Sequence, residues 1–212
     1  MKLNTKLYFI TDSNGYTDDE IVDKVHKALK AGATLIQLRE KTKTDRQVIN
    51  LALRLKKLTD QFDVPLIIDD RLDVCMVVKA HLHLGQTDIP IAEARKILGP
   101  DYIIGATAKT VEQAKKAEKE GASYLGVGAI YDTTTKVITK RTSVDTLKEI
   151  VKAVDIPVNA IGGLNKDNID ILENTGISGI CVVSAIMKAK DTFKATKDLL
   201  EAVESLNLEK IN

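Results

Sequence analysis

Gln37-Leu38-Arg39-Glu40-Lys41 places an amide and two cations at alternate positions, starting directly after the apolar run Thr34-Leu35-Ile36. Successive side chains of a β-strand point to opposite faces, so Gln37, Arg39 and Lys41 share one face and Leu38 and Glu40 the other. Cations at the end of a buried strand cost stability unless something anionic pairs with them. The row therefore suits a phosphate or diphosphate, and Glu40, on the far face, reads as structural.

Asp69 and Asp70 end the next apolar run, and Asp88 follows the one after that. Two carboxylates, with water and substrate phosphate oxygens in the other positions, are the usual way to hold Mg²⁺, which makes Asp70 and Asp88 candidate ligands. Taken singly, each is also a helix N-cap or turn residue, Asp88 before Ile89-Pro90 especially. Their combination with Arg39 and Lys41 points to a metal–diphosphate centre. Gly162-Gly163 and Val183-Ser184 offer backbone N–H groups for a second phosphate. Thr133-Thr134-Thr135-Lys136 sets hydroxyls beside a cation in a long irregular stretch, which reads as a lid bringing Lys136 over bound phosphates.

The remaining reactive side chains suggest less. His26 falls within a helix, and His81 and His83 share a strand face with no third ligand at suitable spacing, so none is assigned to catalysis. Cys75 and Cys181 lie far apart without a zinc or redox pattern and read as small buried hydrophobes.

These groups work together only if the fold brings many strand ends to one place. Apolar runs predict strands over 7–10, 35–38, 64–68, 81–84, 102–106, 124–128, 157–161 and 179–183. Between them, helices are marked by caps at Thr17, Thr44, Thr110 and Asp191, by Pro90, and by stops at Gly32, Gly99 and Gly121. Asn165 is expected to cap one more helix, ending near Gly176. Strands that are continuously apolar are covered on both faces, so the sheet is predicted to be parallel. Eight such units in 212 residues predict a single-domain (β/α)₈ barrel over 1–212, in which active-site residues come from the C-terminal strand ends. Thr107, after the fifth strand, joins the candidates on that rule. No G-x-G-x-x-G follows an early strand, which argues against a dinucleotide fold.

Charge is balanced, 31 basic against 30 acidic residues, which leaves no excess for bulk nucleic-acid binding. The N-terminus lacks a signal-type apolar region, and Leu7–Ile10 is far too short to span a bilayer, so a cytoplasmic protein without membrane or nucleic-acid partners is expected.

Seven segments resemble the thiamine phosphate synthase family over nearly the whole chain. They are Leu7-Tyr8-Phe9-Ile10-Thr11-Asp12, Gln37–Lys41, Leu66–Arg71, His83-Leu84-Gly85-Gln86-Thr87-Asp88, Gly126–Ile130, Thr133–Lys136 and Ala160-Ile161-Gly162-Gly163. The Gln–Arg–Lys row and the aspartate pair are the specific part; the rest is shared with related barrels. The resemblance implies a Mg²⁺-dependent transferase that joins hydroxymethylpyrimidine diphosphate to hydroxyethylthiazole phosphate, releasing diphosphate and giving thiamine monophosphate. It implies that Gln37 and Asp69 meet the pyrimidine, that Arg39, Lys41 and Lys136 bind diphosphate, and that Asp70 and Asp88 hold Mg²⁺. Thr107 stands where the family usually has a serine near the reacting centre, and Thr133, Thr135, Gly163, Val183 and Ser184 would hold the thiazole phosphate.

The chain departs from the family's usual Asn at Asp69, its His at Lys109, and its polar or glycine residues at Val137-Ile138. An ionised Asp only accepts hydrogen bonds, where Asn also donates. The rival readings are a thiazole tautomerase-like isomerase and a non-catalytic phosphate-ligand-binding paralogue. A Schiff-base aldolase is disfavoured, because no strand-end lysine sits in an apolar pocket. A homo-oligomer is left open.

Overall fold

Strand β1 (Leu7–Ile10) pairs in parallel with β2 (Leu35–Leu38) on one side and with β8 (Gly179–Val182) on the other. That second pairing closes the sheet. In the computed structural model, which describes residues 3–132 and 141–208, eight parallel strands run in chain order around a closed barrel. The others are β3 (Leu66–Asp69), β4 (His81–Leu84), β5 (Ile104–Ala108), β6 (Tyr124–Gly128) and β7 (Val158–Ile161).

The strands are apolar on both faces because each face meets a different core. Ile36, Leu38, Leu66, Ile68 and Leu82 look outward into the layer under the helices. Tyr8, Ile10, Leu35, Ile67, Tyr124 and Cys181 fill the barrel itself. By the same alternation Gln37 follows Leu35, and Asp69 follows Ile67, on the inner face. The phase of the strand thus decides which polar residues reach the mouth.

The helical layer comprises α1 (Asp18–Lys30), α2 (Asp45–Asp60), α3 (Leu72–Val78), α4 (Ile91–Leu98), α5 (Val111–Lys119), α6 (Val144–Ala153), α7 (Ser184–Met187) and α8 (Thr192–Ser205). The N-caps act as their chemistry predicts: Thr17 accepts from Glu20 N while the Glu20 carboxylate accepts from Thr17 N, a complete capping box. Thr110 and Asp191 cap α5 and α8 in the same sense. Among the described residues, no helix is long and apolar enough to cross a membrane.

Three elements depart most from the sequence expectation, and the first is β3, which starts at Leu66 rather than at 64. β5 lies two residues later than 102–106, because Ile103 N–H donates to His81 Nδ1 instead of entering the ladder. The helix expected from Asn165 to Gly176 is a single 3₁₀ turn, Ile169–Leu172. Its start is diverted by side chains: Asn165 Oδ1 accepts from Asp167 N, and Asn168 Oδ1 from Asn165 N, each at 2.9 Å. Such local bonds offer the backbone an alternative to helix.

Candidate active site at the C-terminal mouth of the barrel

β2 delivers the row that the alternation predicts. Gln37 is 2% exposed, and Arg39 and Lys41 follow it outward toward solvent. Glu40 points away and is buried, accepting from Ser13 at 2.8 Å and pairing with Lys43 at 3.0 Å, as a structural residue does.

The expectation that the cations wait for an external anion needs correcting. Lys41 Nζ lies 2.7 Å from Asp69 and also pairs with Asp70, and Arg39 Nε lies 3.9 Å from Asp69. The chain supplies its own counter-ions from the neighbouring strand. Burial disfavours the charge on Lys41, but the Asp69 and Asp70 carboxylates outweigh it and raise its pKa above the ordinary lysine value.

Asp70 reaches this cluster through an unusual backbone. Its φ of 61° is left-handed, a region Asp tolerates better than most residues. The turn is held by Asp70 N–H to His83 O at 2.9 Å and Arg71 N–H to Asp69 O at 2.7 Å. Asp88 arrives from the loop after β4, where its Oδ2 accepts from Gly85 N at 2.6 Å. A Cβ on Gly85 would stand 2.9 Å from that same oxygen, so the approach depends on glycine. Asp88 is therefore a turn residue, and it lies close enough to Asp70 for the two carboxylates to act on each other.

The two carboxylates are driven apart. Burial pushes Asp70 up, but the hydrogen bond and charge of Lys41 prevail and lower its pKa below the ordinary aspartate value. Burial, reinforced by the Asp70 charge against the pull of Gly85 N–H, raises Asp88. A pair like this favours a shared proton or a cation. Among the described residues no cluster of three or more His, Cys, Asp or Glu is poised for a metal. A cation here would have these two carboxylates and take its other oxygens from water and substrate, the donor set Mg²⁺ accepts.

Below the charged layer lies a hydrogen-bonded one. Gln37 Nε2 donates to Tyr8 Oη at 2.5 Å, Tyr8 Oη and Tyr124 Oη are 2.7 Å apart, and Tyr124 Oη lies 3.1 Å from His83 Nδ1. His83 Nε2 is 3.0 Å from Thr107 Oγ1. Spacing assigns His83 no catalytic role and does not link it to Thr107. Tyr8 and Tyr124 read as core apolar residues. The missed signal is the small residue opposite: a Cβ on Gly105 would overlap the Tyr124 ring and stand 2.5 Å from His83 Nδ1.

On the far side of the mouth, Gly163 (φ 65°) packs against the start of the loop after β6, where a Cβ would meet Tyr131 Cβ at 2.7 Å. Val183 and Ser184, at the start of α7, line a cavity of about 230 Å³ with Asp12, Asn14, Tyr16, Met187 and Lys188. Lys188 is a cation there that the strand-end rule did not find. Thr133, Thr135 and Lys136 lie outside the described residues, as do Val137 and Ile138. Asp132 and Arg141 pair across the base of that stretch.

Comparisons with known proteins point to one family. The family described as thiamine monophosphate synthase matches residues 7–186. Thiamine-phosphate synthase 2 of Streptococcus pneumoniae is 48% identical over 202 residues, covering 95% of this chain and 96% of that protein. Thiamine-phosphate synthase of Ruminiclostridium cellulolyticum is 46% identical over 201 residues, covering 94% and 96%. The solved structure of thiamine phosphate pyrophosphorylase from Pyrococcus furiosus superposes with a TM-score of 0.85 at 42% identity, covering 96% of this chain and 97% of that one.

Proposed function

The chain belongs to the thiamine monophosphate synthase family, and from that premise we propose how its own residues carry out the transfer. It is a transferase that joins a pyrimidine and a thiazole unit to make thiamine monophosphate. The substrates are hydroxymethylpyrimidine diphosphate and hydroxyethylthiazole phosphate. The bond from the pyrimidine methylene to the diphosphate oxygen breaks, and the diphosphate leaves with the electron pair. The thiazole nitrogen lone pair then forms the new carbon–nitrogen bond.

The observation that carries the residue assignment is the cluster of Arg39, Lys41, Asp69, Asp70 and Asp88, held by mutual ion pairs and hydrogen bonds at one mouth. A departing diphosphate develops negative charge, so preorganised cations aimed at it supply most of the stabilisation. Arg39 and Lys41 are those cations, with Lys136 a third by resemblance. Incoming diphosphate takes over Lys41 from Asp69 and Asp70, which frees Asp70 to face Asp88. Asp70 and Asp88 would then hold Mg²⁺, which when bound neutralises charge on the leaving group. Gln37 meets the pyrimidine from the barrel floor with Asp69 beside it, and Thr107 stands at the reacting centre. Gly163, Val183 and Ser184 hold the thiazole phosphate at the opposite rim together with Thr133 and Thr135, and the cavity beside Ser184 supports that placement.

The test is direct. The chain incubated with both substrates and Mg²⁺ is expected to form thiamine monophosphate and diphosphate in equal amounts, and chelation with EDTA is expected to stop it. Undiminished turnover after chelation would remove Asp70 and Asp88 from the metal assignment.

A further inference from the structure

We propose that Tyr8 and Tyr124 are positioning residues for this reaction: a hydrogen-bond chain running from Gln37 to Thr107 ties the end of the Gln37 amide that faces the pyrimidine to the direction of every link, so that the amide turns over only if the whole chain does. The proposal rests on Gln37 being the residue that meets the heterocycle.

The argument begins with counting hydrogens. A tyrosine or threonine hydroxyl has one hydrogen, and an imidazole that accepts at one ring nitrogen has one N–H on the other, so each donates once along the chain. Four contacts link five side chains from five strands: Gln37 to Tyr8, Tyr8 to Tyr124, Tyr124 to His83, and His83 to Thr107. Gln37 Nε2 donates to Tyr8, so the Tyr8 hydrogen goes on to Tyr124, and the Tyr124 hydrogen to His83 Nδ1. His83 then carries its proton on Nε2 and donates to Thr107 Oγ1, and the Thr107 hydrogen is left for the mouth. Turning the Gln37 amide over reverses every link, including the nitrogen on which His83 carries its proton. A mixed arrangement sets two hydrogens face to face, or two acceptors, in a buried site. Such a mismatch is costly where no water can repair it.

The surroundings hold the chain in place. Tyr8 and Tyr124 are 1% and 0% exposed, and burial pushes both phenols well above the ordinary tyrosine value, so each keeps its hydrogen. Their rings pack edge to face at 5.6 Å. Gly105 leaves the volume that His83 and Tyr124 occupy. With one N–H committed to Tyr8, Gln37 keeps its carbonyl oxygen and its second N–H for substrate. That acceptor-plus-donor pair complements the amino group and ring nitrogen of an aminopyrimidine only in one orientation. The predicted consequence is discrimination, read at the substrate and set two residues away.

The experiment measures binding of hydroxymethylpyrimidine diphosphate, and of the analogue lacking the ring amino group, with Mg²⁺ and no thiazole present. Wild type is expected to prefer the amino compound by roughly tenfold or more, the scale of one well-made hydrogen bond. Tyr8→Phe keeps the ring volume and is expected to bring that ratio close to one, while the KM for the thiazole phosphate in the full reaction stays near wild type. Tyr124→Phe, one link further, is expected to lower the ratio less, and it asks the same question should Tyr8→Phe not fold. A Tyr8→Phe enzyme that keeps the wild-type ratio overturns the proposal. So does one that weakens both pyrimidines and the thiazole phosphate alike, since that is what loosened packing does. Gln37→Ala separates the premise from the inference. An unchanged ratio there removes Gln37 from the pyrimidine; a collapsed ratio there with an intact one in Tyr8→Phe removes only the chain of hydroxyls.

Discussion

At the N-terminal end of the barrel Arg95 and Asn159 bind the backbone, whereas at the C-terminal end Lys41, Asp69 and Asp70 bind one another. Arg95 on α4 shows the first pattern. Its guanidinium donates to Gly99 O at 2.8 Å, Tyr102 O at 2.6 Å and Gly121 O at 2.7 Å, and reaches Ser123 Oγ at 3.2 Å. Asn159 likewise donates to Thr5 O at 2.5 Å. Lys41, Asp69 and Asp70 show the second, each paired with a neighbouring side chain. A carbonyl fixed in a loop cannot be exchanged for a ligand while the fold persists. A side-chain ion pair can. The same strands therefore end in a clamp on one side and in replaceable contacts on the other, which is how this architecture separates stability from chemistry.

Asp70→Asn tests the replaceable end most severely. Asn keeps the left-handed backbone at this position, so the melting temperature is expected to stay near wild type. Loss of the carboxylate charge proposed to hold Mg²⁺ is expected to lower kcat by roughly 100- to 1,000-fold, the range for removing one group that stabilises charge in the transition state. A drop in stability with activity retained would reverse the comparison.

Arg95→Ala is the converse, smaller in rate and larger in stability. It strands three carbonyls in two loops at once, with an expected cost of about 2–4 kcal/mol. For a chain of this size that is about 5–15 °C in melting temperature. Assayed well below its melting point, the variant is expected to keep wild-type KM for both substrates. Thermal melting and steady-state kinetics on the same preparation decide it.

The difference between the two ends also explains what the amino-acid sequence disclosed. Gln37, Arg39 and Lys41 were legible because strand alternation is local, and Asp70 and Asp88 because the eight-unit rhythm places strand ends together. Asp69 as counter-ion to Lys41 was not, since pairing depends on the register of β2 against β3, Leu38 opposite Ile68. His83, Thr107 and Tyr124 are joined across β4, β5 and β6, with Gly105 between them in the ladder. No spacing rule covers contacts 24 and 41 residues apart. Nothing in the sequence singles out Arg95, because its acceptors are loop carbonyls that carry no residue type. The helix expected after Asn165 failed for a nearby reason: Asn165 and Asn168 bond locally, and cap chemistry resembles turn chemistry until the next turn forms or does not.

The smallest effect, and the finest test of the comparison, concerns two histidines on one strand. His83 faces the mouth, whereas His81, two residues earlier, accepts from Ile103 N–H at 3.1 Å and packs against Tyr102. Burial, assisted by the charge of Lys56, lowers the His81 pKa below its ordinary value of 6.5. A depressed value in the folded state means that the unfolded chain takes up the proton first. Its stabilising contribution is therefore full above about pH 6.5 and is lost as pH falls toward and through the lower folded value. Protonation at Nδ1 also removes the acceptor that holds Ile103. His81→Gln retains an acceptor without titrating. The difference in unfolding free energy between wild type and this variant is expected to be constant above neutrality and to shift against wild type on acidification, with KM unchanged throughout. A difference that stayed flat with pH would mean that His81 is not held neutral by the fold, and a KM that moved would mean that the clamp reaches the mouth.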